Sequence, residues 1–335
     1  MGLLPEARLK ASPPFNFTML DLLGPFLTRG EVNKRTSGKC YMVLFTDLGS
    51  RAIHLECVFG YSTEHFLLAL SRFVHIRGWP AEIYSDPGSQ LLGAERELRE
   101  AWSQIEVKQL VKKGAQSGTK WIFGPADSPW HQGAAESLIK TVEKCLQYAV
   151  HSQRLTAAEY LTTSYEIANL VNERPIGTRP ALDSSINILT PNSLLLGRSS
   201  AKNPGLYLPD SGNLKTRFQL VRSISDSFWN RWSELYAPSL IKQSKWTRPG
   251  RNFLPGDIVL ILDKGFKGGY SLAEVIKTFP GADGMVRKVN LRYKAYKPGE
   301  PITRYNGSTD ILVSRAVQKL ALIVAKEERD HNNHC

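Results

Sequence analysis

The sequence has few cysteines and no long apolar run. Its cysteines are Cys40, Cys57, Cys145 and Cys335. They are widely scattered and no two have CxxC spacing, so neither a disulfide framework nor a cysteine-based zinc site is predicted. The longest apolar stretches, within residues 257–263 and 320–325, are far shorter than the roughly 20 residues of a membrane-spanning helix. The N-terminal residues lack the basic start and apolar segment of a signal peptide. We therefore expect a reduced intracellular protein that has no membrane partner.

Acidic residues are fewer than basic residues, and most of the difference lies in the C-terminal third of the chain. Lys and Arg number 43 against 31 Asp and Glu, a net charge of +12. Residues 1–213 account for only +2 of this, and residues 214–335 for +10. Such an imbalance favours a polyanionic partner that is held mainly by the C-terminal third. Because 42% of the 335 residues are hydrophobic, the chain can bury a sizeable core, and wholesale disorder is excluded.

Hydrophobic patterning divides the first 155 residues into alternating strands and helices. The predicted strands are 15–23, 39–46, 52–58, 81–84 and 120–123, and the predicted helices are 63–76, 93–112 and 134–151. Short polar connections between the first three strands favour an antiparallel meander. The order of three strands, helix, strand, helix, strand, helix predicts a mixed α/β sheet with helices on its faces.

The rest of the chain changes character twice. Residues 156–173 and 214–245 have helical patterns, and the segment between them is rich in Pro, Gly, Ser and Asn. Four short strands then follow, separated by Gly-rich turns, which is typical of a small β domain or barrel. The predicted boundaries are 1–11 for a lead-in, 12–155 for the α/β core, 156–213 for a helix and connector, 214–250 for a helical linker, 251–325 for a basic β domain and 326–335 for a polar tail.

Three acidic residues stand out by their positions. Asp21 interrupts an apolar strand, Asp86 directly follows a strand, and Glu136 lies in the first turn of a helix. Strand ends and helix starts meet at one edge of an α/β sheet, where binding sites form. Carboxylates suit Mg²⁺ or Mn²⁺, and two such ions can assist phosphoryl transfer. Each acid alone also fits a structural role, as a residue at a sheet edge, a turn former or a helix-dipole partner.

Short motifs surround these acids and continue along some 300 residues. They are Leu4–Lys10, Pro13–Phe15, Asp21–Phe26, Arg51–Glu56, Phe66–Phe73, Ile83–Asp86 with Gly88, Gly93–Leu98, Pro129 with Gln132-Gly133, Glu136-Ser137 and Lys140, Asn172–Pro175, Leu189–Asn192, Leu195–Arg198, Phe228-Trp229 with Trp232, Lys245-Trp246 and Pro255–Val259. In this order they resemble the integrases of Bel/Pao-class LTR retrotransposons, which contain a retroviral-like catalytic core.

The resemblance implies an RNase H-like mixed five-stranded sheet with flanking helices, followed by a helical linker and a small C-terminal β-barrel-like domain. It implies that Asp21, Asp86 and Glu136 are the catalytic residues and the ligands of two Mg²⁺ or Mn²⁺ ions. The implied reaction trims the 3′ ends of element DNA and joins them to target DNA. The implied partners are element and target DNA and further copies of the chain, with no small-molecule substrate. The implied location is the nucleus, after synthesis in the cytoplasm.

Several polar and basic residues are predicted to contact DNA. They are Gln132, Lys140, Lys144, Lys242, Lys245, Arg248, Arg251, Arg287 and Lys288. Lys140 and Lys144 lie one and two helical turns after Glu136, on the same face, although this face is also compatible with an ordinary solvated surface. The C-terminal cations lie among aromatic residues, a combination that suits phosphate contacts and base stacking.

Two other functions remain open. A decayed or domesticated relative would bind nucleic acid without catalysis, and Pro87, beside Asp86, and the absence of a His-His-Cys-Cys zinc set are compatible with it. An RNase H-like nuclease would use the same acids on an RNA–DNA hybrid. The basic C-terminal region favours the joining enzyme.

Overall fold

The computed structural model describes ten segments of the chain. They are residues 12–33, 35–60, 63–85, 118–123, 133–179, 187–197, 216–240, 251–262, 270–294 and 310–328. The chain divides into two compact units. The first comprises Met1–Val171 and Lys215–Phe228, and the second comprises Asn172–Leu214 and Trp229–Cys335.

The first unit contains a five-stranded sheet and flanking helices. Its strands are β1 (Phe17–Arg29), β2 (Ser37–Asp47), β3 (Ile53–Val58), β4 (Glu82–Ser85) and β5 (Lys120–Phe123), and its helices are α1 (Thr63–Arg77), α2 (Gly133–Val150) and α3 (Ala157–Asn172). The predicted helix 93–112 lies outside the described residues.

Strand order identifies the architecture of this sheet. The order is β3-β2-β1-β4-β5. β2 is antiparallel to both β1 and β3, whereas β4 is parallel to β1 and to β5. This is the predicted RNase H-like mixed sheet, with β1 as its central strand. The prediction of the α/β fold class is therefore confirmed.

Apolar side chains on both faces of the sheet explain why it assembles. All six residues of β3 are buried although it is an edge strand, and α1 packs against it. The helical periodicity of α1 holds, because Phe66, Leu70 and Phe73 are all buried. Phe73 stacks on Phe45 of β2, with ring centroids 3.9 Å apart. Burial of this kind contributes about 25 cal/mol for each Å² of apolar surface removed from water.

β1 is longer than its sequence pattern predicts. The pattern places its end at Gly24-Pro25, but the strand continues to Arg29. The pairing with β2 shifts register between Leu23 and Phe26. This irregularity admits a proline, which has no N–H to donate to the ladder. Gly24 has a φ of +121°, a conformation that favours glycine.

The second unit contains a hairpin, a short helix and a second five-stranded sheet. These elements are β6 (Gly177–Arg179), β7 (Asn187–Leu189), α4 (Pro191–Leu195), β8 (Ile258–Ile261), β9 (Leu272–Pro280), β10 (Val286–Lys294), β11 (Asp310–Ala316) and β12 (Leu320–Val324). A fifth helix, α5 (Thr216–Ser239), contributes residues to both units. The sequence pattern missed β12 and treated β6 and β7 as part of an extended connector.

The second sheet must curve like part of a barrel. Its strands are antiparallel in the order β11-β10-β9-β8-β12, so β11 and β12 lie at opposite edges. Edge strands of a flat five-stranded sheet are about 19 Å apart, at roughly 4.8 Å for each neighbouring pair. The only link between these edges is a 3₁₀ turn at Val317–Lys319, which advances about 2 Å for each residue. The sheet therefore rolls up, and both faces of β8 are buried.

Within the described segments, no helix is both long enough and apolar enough to cross a membrane.

Candidate active site

Asp21 occupies the middle of the central strand of the first sheet. It lies opposite Leu44 of β2 and is half-buried among fully buried neighbours. One of its carboxylate oxygens, Oδ1, accepts a hydrogen bond of 2.8 Å from the backbone N–H of Leu22. The fold thus places a carboxylate on β1 between one antiparallel and one parallel neighbour.

The register of β1 with β4 leads directly to the second predicted acid. Leu20 pairs with Ser85, the last residue of β4, in parallel orientation. Asp21 is the next residue on β1, and Asp86 is the next residue in the sequence after Ser85. Asp86 itself lies outside the described residues, as does its neighbour Pro87.

The third predicted acid belongs to the first turn of α2. The backbone of Glu136 is described, but its side chain is not. The helix packs against β1, and its apolar face, including Leu138, Ile139 and Val142, is buried. Consequently β1, which carries Asp21, contacts both β4 and the helix that carries Glu136.

One carboxylate of the predicted metal site is described. Carboxylate oxygens are the ligands that Mg²⁺ and Mn²⁺ prefer, and the half-buried Asp21 supplies one carboxylate. Among the described side chains, no three His, Cys, Asp or Glu residues form a metal-binding group. Of the three predicted ligands, only Asp21 has a described side chain.

A second acid of this sheet has a structural role. Asp47, at the end of β2, is buried and accepts hydrogen bonds from the backbone N–H of Phe15 and from the N–H and hydroxyl of Ser50, at 2.9, 2.6 and 2.6 Å. These bonds close the turn after β2 and attach the segment that precedes β1. Asp47 therefore stabilises the base of the sheet.

The basic residues predicted on α2 have an exposed position. Lys140 and Lys144 lie on the exposed side of the helix, opposite its buried apolar face. The predicted contacts Gln132, Lys242, Lys245 and Arg248 lie outside the described residues. Their assignment to DNA binding stays a prediction.

Arg251 is held by carboxylates of its own domain. Its guanidinium donates two hydrogen bonds to Asp257, at 2.7 and 2.9 Å, and one to Glu327 at 2.7 Å. Asp257 also accepts from the backbone N–H groups of Leu254 and Lys326, at 2.8 and 2.9 Å. Burial by itself would raise the pKa of the Asp257 carboxyl, but the Arg251 guanidinium and the two amides outweigh it and lower that pKa.

Arg287 and Lys288 are adjacent on β10 but differ in their surroundings. Arg287 donates to Asp283 at 2.9 Å in the exposed turn before the strand. The Lys288 ammonium instead lies 5.8 Å from the ring centroid of Phe279. The sequence does not predict this difference between the two cations, because each contact forms only in the folded protein.

Sequence reasoning missed a buried polar cluster that β3 forms with α1 and α3. The buried Glu56 of β3 contacts His54 Nε2 at 3.0 Å and accepts from Arg72 at 2.6 Å and from Tyr165 at 3.1 Å. Burial lowers the pKa of His54, and its contact with Glu56 opposes that effect. The signal was the alternating His-Leu-Glu of Arg51–Glu56, but alternation cannot tell which face is covered.

Two polar contacts in the second unit are also structural. Glu173 and Asn192, both buried, are joined by a hydrogen bond of 2.8 Å from the Asn192 amide. Nearby, the Trp232 indole N–H donates to the Tyr270 hydroxyl at 2.8 Å. Burial raises the pKa of Tyr270 and lowers that of the fully buried Arg174. These contacts explain why polar residues occur among the buried residues of this unit.

Comparisons with known proteins give one family of unknown function and distant structural similarities. The family, DUF5641, matches residues 216–323. No curated protein matches the chain. The HTLV-2 integrase catalytic core domain in complex with magnesium shares 12% identity, at a TM-score of 0.30, and 48% of this chain and 88% of that chain are covered.

Two further solved structures show similarity at the same level. The simian T-cell lymphotropic virus intasome shares 9% identity at a TM-score of 0.34, with 97% of this chain and 84% of that chain covered. The catalytic core domain of BIV integrase shares 14% identity at 0.32, with 55% and 95% covered. The assignment of the fold rests on strand order and direction.

Proposed function

We propose that the chain is an integrase of the Bel/Pao class that processes the 3′ ends of element DNA and joins them to target DNA. The observation that supports this most is the parallel pair Leu20–Ser85. Asp21 and Asp86 directly follow these two paired residues in the sequence, and neighbouring strands are about 4.8 Å apart. Two carboxylates that each follow one member of such a pair suit a shared divalent cation.

Asp21, Asp86 and Glu136 would hold Mg²⁺ or Mn²⁺ at this edge. When bound, two such ions would polarise the phosphodiester and activate the attacking oxygen. The chain's own contribution is to carry Asp21 on the central strand β1 and Glu136 on α2, the helix that packs against it. In the proposed reaction, water releases the terminal nucleotides, and the freed 3′-hydroxyl groups then attack phosphodiesters of target DNA.

The proposed substrates also suggest an assembly and a location. Two element ends must be joined together, which favours a multimer of this chain. The net charge of +10 in residues 214–335 favours a C-terminal region that holds the DNA backbone. Chromosomal target DNA would place the active protein in the nucleus.

The test is strand transfer by the full chain, with Mg²⁺ or Mn²⁺ and short duplexes of the element's end sequence. We expect Asp21→Asn to abolish joining while the melting temperature stays close to that of the parent, because a half-buried amide replaces a carboxylate of the same shape. The matched control is Glu64→Gln, which changes an exposed acid in the first turn of α1 and should leave joining intact.

The alternatives give different results in the same experiment. Equal joining by the parent and by Asp21→Asn would contradict the site. Metal-dependent cleavage of an RNA–DNA hybrid without joining would indicate a nuclease. DNA binding with neither reaction would indicate a chain that has lost catalysis.

A further inference from the structure

One face of the β9–β10–β11 sheet exposes an aromatic ring between two cations. Phe279 of β9 is directly opposite Lys288 of β10, and Lys277 lies two residues before it on the same face. The Lys277 and Lys288 ammonium groups lie 5.3 and 5.8 Å from the ring centroid, within the range of cation–π attraction. The ring remains 38% exposed. We call these three residues the Lys-Phe-Lys platform.

The platform lysines differ from three arginines of this domain, because each of those arginines contacts a carboxylate. Arg251 contacts Asp257, Arg287 contacts Asp283, and Arg292 contacts Glu274. Within the described part of the chain, neither Lys277 nor Lys288 has a carboxylate within ion-pair distance. The charge of the platform is therefore not cancelled locally, whereas that of the three arginines is largely compensated.

We infer that the Lys-Phe-Lys platform binds unpaired nucleotides, with a base stacked on Phe279 and the adjoining phosphates held by Lys277 and Lys288. An exposed aromatic ring beside cations is the arrangement that proteins use for single strands, because every base has a π-face and every nucleotide a phosphate. A paired base inside a duplex is already stacked and cannot cover the ring.

The polar neighbours on the same face are compatible with this ligand. Asn290, opposite Lys277 on β10, accepts a hydrogen bond of 2.6 Å from the Ser314 hydroxyl of β11. The strand partners thus continue the surface as uncharged amide and hydroxyl groups. The occupant that this surface fits is therefore a polyanion with flat apolar groups, which describes single-stranded nucleic acid.

This inference depends on the proposed function only for the source of the nucleotides, which would be the frayed or overhanging ends of element DNA. Binding is measurable without catalysis. The assay is fluorescence anisotropy of the full chain with a labelled 12-nucleotide oligothymidine, and with a duplex of equal length, over a range of salt concentrations.

We expect Phe279→Ala to weaken single-strand binding at least fivefold, the lower end for loss of one base–aromatic stack, and to change duplex binding less than twofold. Phe279→Trp should retain single-strand affinity, because it keeps a stacking surface. Phe279→Leu keeps an apolar side chain without a π-face and should behave like alanine, so a folding defect of the alanine variant does not decide the result.

The salt dependence of binding tests the role of the two lysines. Lys277→Ala and Lys288→Ala should each reduce the slope of log Kd against log salt by about 0.7 with single strands, as expected for loss of one phosphate contact. The matched controls are Arg231→Ala, which removes a cation paired with Glu234 on α5, and Leu312→Ala, which removes a 70% exposed apolar side chain from β11. Both should bind within twofold of the parent.

The inference is overturned if Phe279→Ala and Phe279→Leu leave single-strand binding unchanged, or if they weaken single-strand and duplex binding equally. It is also overturned if polyglutamate competes as well as oligothymidine, since the occupant would then be an acidic peptide. A protein that joins DNA normally, yet fails these binding tests, contradicts this inference alone. Loss of joining in Asp21→Asn with intact oligothymidine binding would support the catalytic site and would not contradict this inference.

Discussion

Replacing Arg251 with alanine should destabilise the β domain and not only weaken DNA binding. The Asp257 side chain is fully buried, and its two oxygens accept hydrogen bonds from Arg251, Leu254 and Lys326. Through these bonds Asp257 joins residues 251–254 to the chain segment after β12. Removal of the guanidinium leaves a buried carboxylate with the two backbone amides as its remaining described donors.

The expected loss of stability follows from how deeply Arg251 and Asp257 are buried. Truncating one partner of a fully buried ion pair costs about 3–5 kcal/mol. The Arg251 side chain is 35% exposed, so that water already screens part of the attraction, and the two amides continue to stabilise the carboxylate. We therefore expect a loss of about 2–3 kcal/mol in the free energy of unfolding. For a domain of this size, that loss lowers the melting temperature by roughly 10 °C or more.

The assay is thermal unfolding of the full chain, combined with amide hydrogen exchange of β8 and β12. Arg251→Ala should speed exchange in both strands. Arg251→Lys should recover only part of the stability, because an ammonium cannot reproduce the two parallel bonds of a guanidinium. Arg287→Ala is the matched control and should melt like the parent. The reasoning is refuted if Arg251→Ala melts like the parent while its DNA affinity falls.

Two further predictions concern the first unit. Asp47→Ala should lower the free energy of unfolding by at least about 2 kcal/mol, because it leaves the N–H groups of Phe15 and Ser50 without their acceptor; an unchanged denaturant midpoint would contradict this. Burial holds the pKa of His54 below its ordinary value, so the unfolded chain binds the proton more readily, and stability should fall as the pH drops below about 6.5. The Glu56 pKa is also lowered, because its contacts with His54 and Arg72 outweigh burial, and that contribution is lost only below about pH 4.3. Denaturant titrations between pH 5 and 7.5 should show a shallower slope in His54→Gln than in the parent, and identical slopes would refute the assignment.

Much of the fold could be predicted because its signals are local. Short apolar runs located β2, β3 and β5, and three- and four-residue spacing located α1 and α2 nearly to their ends. The extension of β1 beyond Gly24-Pro25 could not be predicted, since it depends on pairing with β2 across a bulge. β12 was missed because a short apolar run has no strand character until β8 is beside it.

The candidate site shows the same division. The sequence by itself determined which residue types were available: an acid in an apolar strand, an acid after a strand, and cations concentrated in the last third. Only the tertiary structure decided that Leu20, the residue before Asp21, pairs with Ser85, and that Asp47 is a turn former. It also decided that Arg251 contacts Asp257 while Lys288 lies beside Phe279. The physical reason is that an ionic or aromatic contact acts over a few ångströms, and strand register brings together residues that are far apart in the chain.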